Sequence, residues 1–120
     1  MARSRTVPAP DPDRIAEMHE HAGAAAALLR ALGNEQRLLI LCNLLEGELA
    51  VGDINERVDL SQSALSQHLA VLREGGLVET RREAQSIYYS LPAGPVTQVI
   101  GVLQQIYCGG PRPQRARRRG

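Results

Sequence analysis

Residues 59–91, DLSQSALSQHLAVLREGGLVETRREAQSIYYSL, constrain the fold more than any other part of the chain. Ser61 is a natural N-cap, and Leu60 just before it is placed to staple against Leu65. Leu65, Leu69 and Leu72 recur at offsets of four and three and predict one apolar helical stripe. Ser63, Gln67 and Ala70 point the opposite way, with Ser66 at the side. Gly75-Gly76 supplies the left-handed position at which many helices end. Beyond it LVETRR and SIYYSL read as two strands joined by Glu83-Ala84-Gln85, on their β-branched and aromatic content. The connection lacks the glycine that marks a secure hairpin.

The rest of the chain is helical in pattern. Asp11-Pro12 reads as an N-cap followed by proline at the first helical position, opening a helix that runs to about Leu32 and stops at Gly33. Asn34 caps a second helix, EQRLLILCNLLEG, in which Leu38, Leu41, Cys42 and Leu45 form an inward stripe. A short third helix covers about 51–57. A last helix, VTQVIGVLQQIYC, follows Pro92–Pro95 and ends at Gly109-Gly110-Pro111. Phe and Trp are absent and only Tyr88, Tyr89 and Tyr107 are aromatic, so Leu, Ile, Val and Ala must fill the core. In 120 residues such a core is small, and burial against a second subunit would help it.

The predicted fold is mainly α with a small β-hairpin: a winged helix-turn-helix, two short helices and a tight turn followed by a hairpin. Residues 11–109 form that domain. Residues 1–10 read as a disordered arm, and residues 110–120 as a disordered, arginine-rich tail. No run approaches the roughly 18 apolar residues of a membrane span, so a cytoplasmic protein without membrane contact is expected. In that reducing compartment two cysteines rarely form a permanent disulfide.

Charge favours no polyanion as a whole. The net charge is +1, with 14 basic and 13 acidic residues. Five of the arginines crowd into the tail (Arg112, Arg115, Arg117, Arg118 and Arg119), leaving nine against 13 acids, so the body is mildly acidic. Affinity for phosphates must come from local surfaces. Gln62, Ser63, Ser66 and Gln67 face outward near the N-terminus of the 61–74 helix. Glutamine bonds adenine bidentately and serine serves a base edge or a phosphate. Alone, such a face is equally well read as merely solvated. The adjoining hairpin, with Arg81 and Arg82 available to phosphates or a minor groove, turns the reading toward DNA. His68, beside the apolar stripe, is expected to pack or to touch a phosphate.

The segment LSQSALSQHLAVLREGGLVETRREAQSIYYSL resembles the ArsR/SmtB family of bacterial winged-helix repressors, and the resemblance extends over residues 24–108. It implies a homodimer through the first and last helices, here 11–32 and 95–108, bound to double-stranded operator DNA with an imperfect inverted repeat. It implies no enzyme activity. Metal-sensing relatives often carry a cysteine pair in the segment that reads here ELAVGDI, where Ala50 and Gly52 stand. Others use His and carboxylate ligands on the last helix, which has none before its terminal thiol. His19 and His21 lie two apart on different faces of a helix and make a poor chelate. No metal and no cofactor are expected, although a metal held by Cys42, Cys108 and a histidine stays open as an alternative signal. A thiol enzyme using Cys108 is a further alternative, without a C-x-x-C or a recognisable Cys–His pairing to support it.

By spacing alone, Cys42 and Cys108 are better read as two unconnected, inert thiols. The stretch ILCNLLEGELAVG and both cysteine positions, however, are similar to the persulfide-responsive BigR/SqrR subfamily. That resemblance implies a disulfide or short polysulfide bridge between Cys42 and Cys108, formed in response to small reactive sulfur species or oxidants and releasing DNA. On the last helix Val99, Leu103 and Ile106 share a stripe suited to a dimer seam, while Cys108 falls on the opposite side. Cys108 is the more accessible of the pair, and Arg112 is the nearest residue in sequence to offset the negative helix end.

Overall fold

Side-chain caps set the starts of three of the five helices. The computed structural model describes residue 9 and residues 11–109. Helix α1 (Pro12–Leu32) starts at Asp11, whose carboxylate accepts from the Asp13 N–H at 2.9 Å. Helix α2 (Glu35–Leu44) starts at Asn34, whose side chain accepts from the Arg37 N–H at 3.0 Å. Strand β1 (Leu49–Ala50) leads directly into α3 (Val51–Arg57). Helix α4 (Gln62–Glu74) starts at Ser61, whose hydroxyl accepts from the Ala64 N–H at 3.1 Å. Strands β2 (Glu79–Glu83) and β3 (Ser86–Ser90) form the wing, and α5 (Pro95–Tyr107) closes the chain.

The C-terminus of α4 is a Schellman motif. Gly76 has φ +76°, the Leu77 N–H donates to Leu72 O at 2.9 Å, and the Gly76 N–H donates to Arg73 O at 3.0 Å. Two orphan carbonyls are thereby satisfied, and the chain is turned into the wing with Leu77 and Val78 buried.

The wing differs from expectation in two ways. Its connection is Ala84-Gln85 alone, because Glu83 pairs with Ser86 as the last rung of the ladder. Ala84 takes the positive φ (+56°) that glycine would ordinarily supply. The sheet also has three strands in the order β1-β3-β2, since Leu49 pairs with Tyr89 and Ala50 with Tyr88. A two-residue strand carries no period to read, which is why the sequence shows only a hairpin.

The core joins Leu32, Ile40, Leu41, Leu44, Ile54, Leu65, Leu69, Leu72, Tyr89, Val96 and Ile100 into one cluster. On α2 this corrects the expected stripe. Ile40, Leu41 and Leu44 are buried, whereas Leu38, Cys42 and Leu45 are half-buried at its edge. Neighbours contact α2 from more than one side, and the buried residues keep three-four spacing on a stripe rotated from the expected one, sharing only Leu41 with it. Of the residues in α1 only Leu32 is buried, so most of that helix stands clear of the fold. No helix among the described residues is long and apolar enough to cross a membrane. The disordered arm assigned to residues 1–10 and the tail at 110–120 lie, apart from residue 9, outside the described residues.

Candidate functional site

Burial of Leu65, Leu69 and Leu72 turns the opposite face of α4 to solvent, and Gln62, Ser63, Ser66 and Gln67 are all exposed there. His68 and Ala70 are half-buried at the flanks. The turn between α3 and α4 is held from inside: the Asn55 side chain donates to Leu60 O at 3.1 Å, and the Leu60 N–H donates to Val58 O at 3.1 Å. Asn55 thus helps fix how the helix-turn-helix pair is joined. Sequence reasoning passed over it, although an asparagine at the end of a short helix before a turn is a recognisable signal.

The two wing arginines are not equivalent. Arg82 is exposed on β2 opposite Ile87. Arg81 is occupied: its guanidinium lies 2.6 Å from a Glu48 carboxylate oxygen and 2.6 Å from Glu83, and it stacks 4.6 Å from the centre of the Tyr88 ring. The hydrogen bonds from Arg81 hold the Glu48 carboxyl below its ordinary range, and those same bonds to Glu48, then to Glu83, push the guanidinium higher still. Glu48 has no local sequence signal, because it meets Arg81 across 33 residues.

The two thiols are free and are not near each other. Cys42 is half-buried on α2, and Cys108 is exposed at the C-cap of α5. Burial pushes the Cys42 thiol up from its ordinary value of 9.0; a hydrogen bond with the Gln104 side chain draws it back, and negative charge on Cys108 raises it again. Gln104 lies one helical turn before Cys108, and the Cys108 N–H donates to its carbonyl at 2.7 Å. Residues four apart share a helix face, so Gln104 and Cys108 lie together on α5. Val102 and Ile106 are exposed on that helix, while Val96 and Ile100 point into the core. Arg112 lies outside the described residues.

His19 and His21 are exposed on α1. His21 lines, with Met18, Leu28, Leu77 and Val96, a groove of about 530 Å³ between α1, the α4–β2 turn and the start of α5. Among the described residues no group of three or more His, Cys, Asp or Glu side chains is placed to hold a metal ion.

A buried-stripe helix presenting a polar face, joined by a tight turn to the preceding helix and followed by a sheet-borne wing, defines the winged helix-turn-helix class of DNA-binding regulators. Residues 34–80 match the model of the bacterial regulatory proteins of the arsR family. The transcriptional activator HlyU of Vibrio cholerae is 50% identical over 97 residues, which cover 81% of this chain and 90% of that one. The chain belongs to the arsR family.

Solved structures agree. The transcriptional repressor BigR from Xylella fastidiosa has a TM-score of 0.73 at 39% identity, over 78% of this chain and 96% of that one. A homodimeric winged helix-turn-helix DNA-binding domain from Mycobacterium bovis has a TM-score of 0.64 at 33% identity, over 82% of this chain and 89% of that one.

Proposed function

We propose that this transcriptional regulator is a homodimeric repressor that binds its operator in the reduced state and releases it when Cys42 and Cys108 are joined. The observation that carries the reading is the setting of Cys42. Helix α5 packs on α2, and Gln104, one turn before Cys108, is close enough to Cys42 to lower its thiol's pKa, so the helix that ends at the second thiol borders the first. Similarity to a structure described as the repressor BigR favours repression.

In the DNA-bound dimer the two α4 helices enter successive major grooves about 34 Å apart. Gln62, Ser63, Ser66 and Gln67 face base edges and phosphates, His68 lies at the rim, and the wing reaches the flanking backbone with Arg82. The dimer seam is built from α1 and α5, where Ile15, Met18, Leu29, Val102 and Ile106 are left exposed in the single chain.

The chemistry balances with a low-molecular-weight disulfide or polysulfide as oxidant. One cysteine thiolate attacks a sulfur of that reagent and expels a thiolate. The second cysteine then attacks the mixed product, closing the protein bridge and expelling a second thiolate. The protein loses two electrons and two protons, and the reagent leaves as reduced thiol or hydrosulfide. Retained sulfur atoms lengthen the bridge beyond the roughly 4.4–6.8 Å Cα separation of a simple disulfide.

The bridge ties α5, on the dimer seam, to α2, which packs on the reading helix, so a small rigid-body shift misaligns the half-sites. The test is operator binding by C42S and C108S variants. Each should bind DNA as the unaltered chain does when reduced and keep binding after persulfide treatment. A variant lacking both thiols that still lets go under persulfide overturns the reading.

A further inference from the structure

We infer that Arg81 is a positioning residue that straps the wing to the body of the domain, and that phosphate contact by the wing falls to Arg82. This inference rests on the reading of the chain as a DNA binder but is independent of the thiol switch. Arg81 stands in the middle of β2. Its cross-strand partner on β3 is Tyr88, over whose ring the guanidinium lies. On the far side of Tyr88, β3 pairs with Ala50 of β1, and Glu48 immediately precedes that strand. The side chain therefore reaches from the outer strand of the sheet across the central one to the segment that leads into α3.

All three guanidinium nitrogens are used. Nε lies 3.1 Å from both Glu48 carboxylate oxygens, Nη2 lies 2.6 Å from Glu48 Oε1, and Nη1 lies 2.6 Å from Glu83 Oε1. This is a forked pairing that suits the planar guanidinium and that a lysine ammonium does not reproduce. Two carboxylates around one cation leave the cluster net negative, which repels a DNA phosphate. Arg82 points to the other face of β2, because successive strand residues alternate, and it forms no ion pair among the described residues.

The strap matters because the wing has little else to hold it. Every residue of β2 is exposed, so the outer strand depends on its ladder with β3 and on this cluster. An exposed ion pair contributes modestly, so removing the fork should weaken DNA binding by about two- to fivefold.

The experiment uses the reduced full chain, a random-sequence DNA duplex and the variants R81K, E48Q and R82Q, with affinity followed against salt. Phosphate affinity is sequence-independent, so no operator is needed. If Arg81 is the strap, R81K and E48Q both lose about two- to fivefold with the salt slope unchanged, while R82Q flattens the slope by about one. If Arg81 instead binds phosphate, R81K retains affinity and E48Q binds more tightly, and the inference falls. Amide exchange across residues 79–90 without DNA supplies a second readout, which stays decisive even if the duplex is not bound. R81K and E48Q should speed it and R82Q should not; equal protection in all variants overturns the strap.

Discussion

Cys42 is held between opposing influences, and their balance sets when it can react. Burial disfavours its thiolate, the Gln104 amide favours it, and a charged Cys108 disfavours it again. The net rise above 9.0 disfavours the Cys42 thiolate, so in the proposed switch exposed Cys108 is the first nucleophile and Cys42 the resolving partner. In a C108S variant, iodoacetamide alkylation of Cys42 should accelerate with pH to a midpoint above 9.0, and Gln104→Leu should move that midpoint higher. A midpoint at or below 9.0 would contradict the assignment. The same shift has a consequence for folding. Between 9.0 and the folded value the unfolded thiol has lost its proton while the folded one keeps it, so this group's contribution to stability is whole below 9.0 and declines as the pH rises above it. Position in sequence allowed Cys42 to be placed on the inward side of α2, but not at the edge of the core beside Gln104. That depends on how α5 lies against α2.

Among the elements, α4 carries the proposed reading surface and its two ends are separately testable. Ser61→Ala removes the hydroxyl that accepts from Ala64 and should cost about 1 kcal/mol. Gly76→Ala forces a side chain into the left-handed region at φ +76° and should cost about 1–2 kcal/mol. Both should lower the urea midpoint without changing the slope. Ala84→Gly should do the opposite, since Ala84 already occupies φ +56°; relief of that strain outweighs the added chain entropy by less than about 1 kcal/mol. Helix starts were legible because Asp11, Asn34 and Ser61 act on neighbours two or three residues away. The C-terminal stop at Gly75-Gly76 was legible for the same reason. Strand β1 and the Glu48–Arg81 pairing were not, because each joins residues more than 30 apart in the chain and leaves no local pattern. The two arginines of the wing look alike in sequence, and only the pairing separates them.

At the scale of the whole molecule, the proposed dimer rests on what a single chain leaves uncovered. Most of α1 stands outside the core, and Met18, Leu29 and Ile106 are each more than half exposed. A helix with so little tertiary packing is marginal in water, and the proposed second subunit would cover it. Ile106→Asp should dissociate the dimer in sedimentation velocity and abolish operator binding while leaving the core of each subunit folded. A dimer that survives this change would place the seam elsewhere. The resemblance in sequence implies α1 and α5 as that seam, and the proposal assigns to it the side chains left exposed on them. In the proposed dimer, symmetry would let one bond per subunit act at a distance: an inverted repeat would be read by two α4 helices at once, so a small displacement of either would cost both.

The most direct measurement couples covalent state to affinity in one sample. Dimer treated with increasing persulfide is divided, one part for intact and peptide mass spectrometry and the other for fluorescence anisotropy with a labelled operator duplex. The account predicts that affinity falls in step with the fraction of subunits carrying a Cys42–Cys108 link, by about 5- to 150-fold at completion, and returns on reduction. Fully linked protein that still binds the duplex as tightly as the reduced form would contradict it.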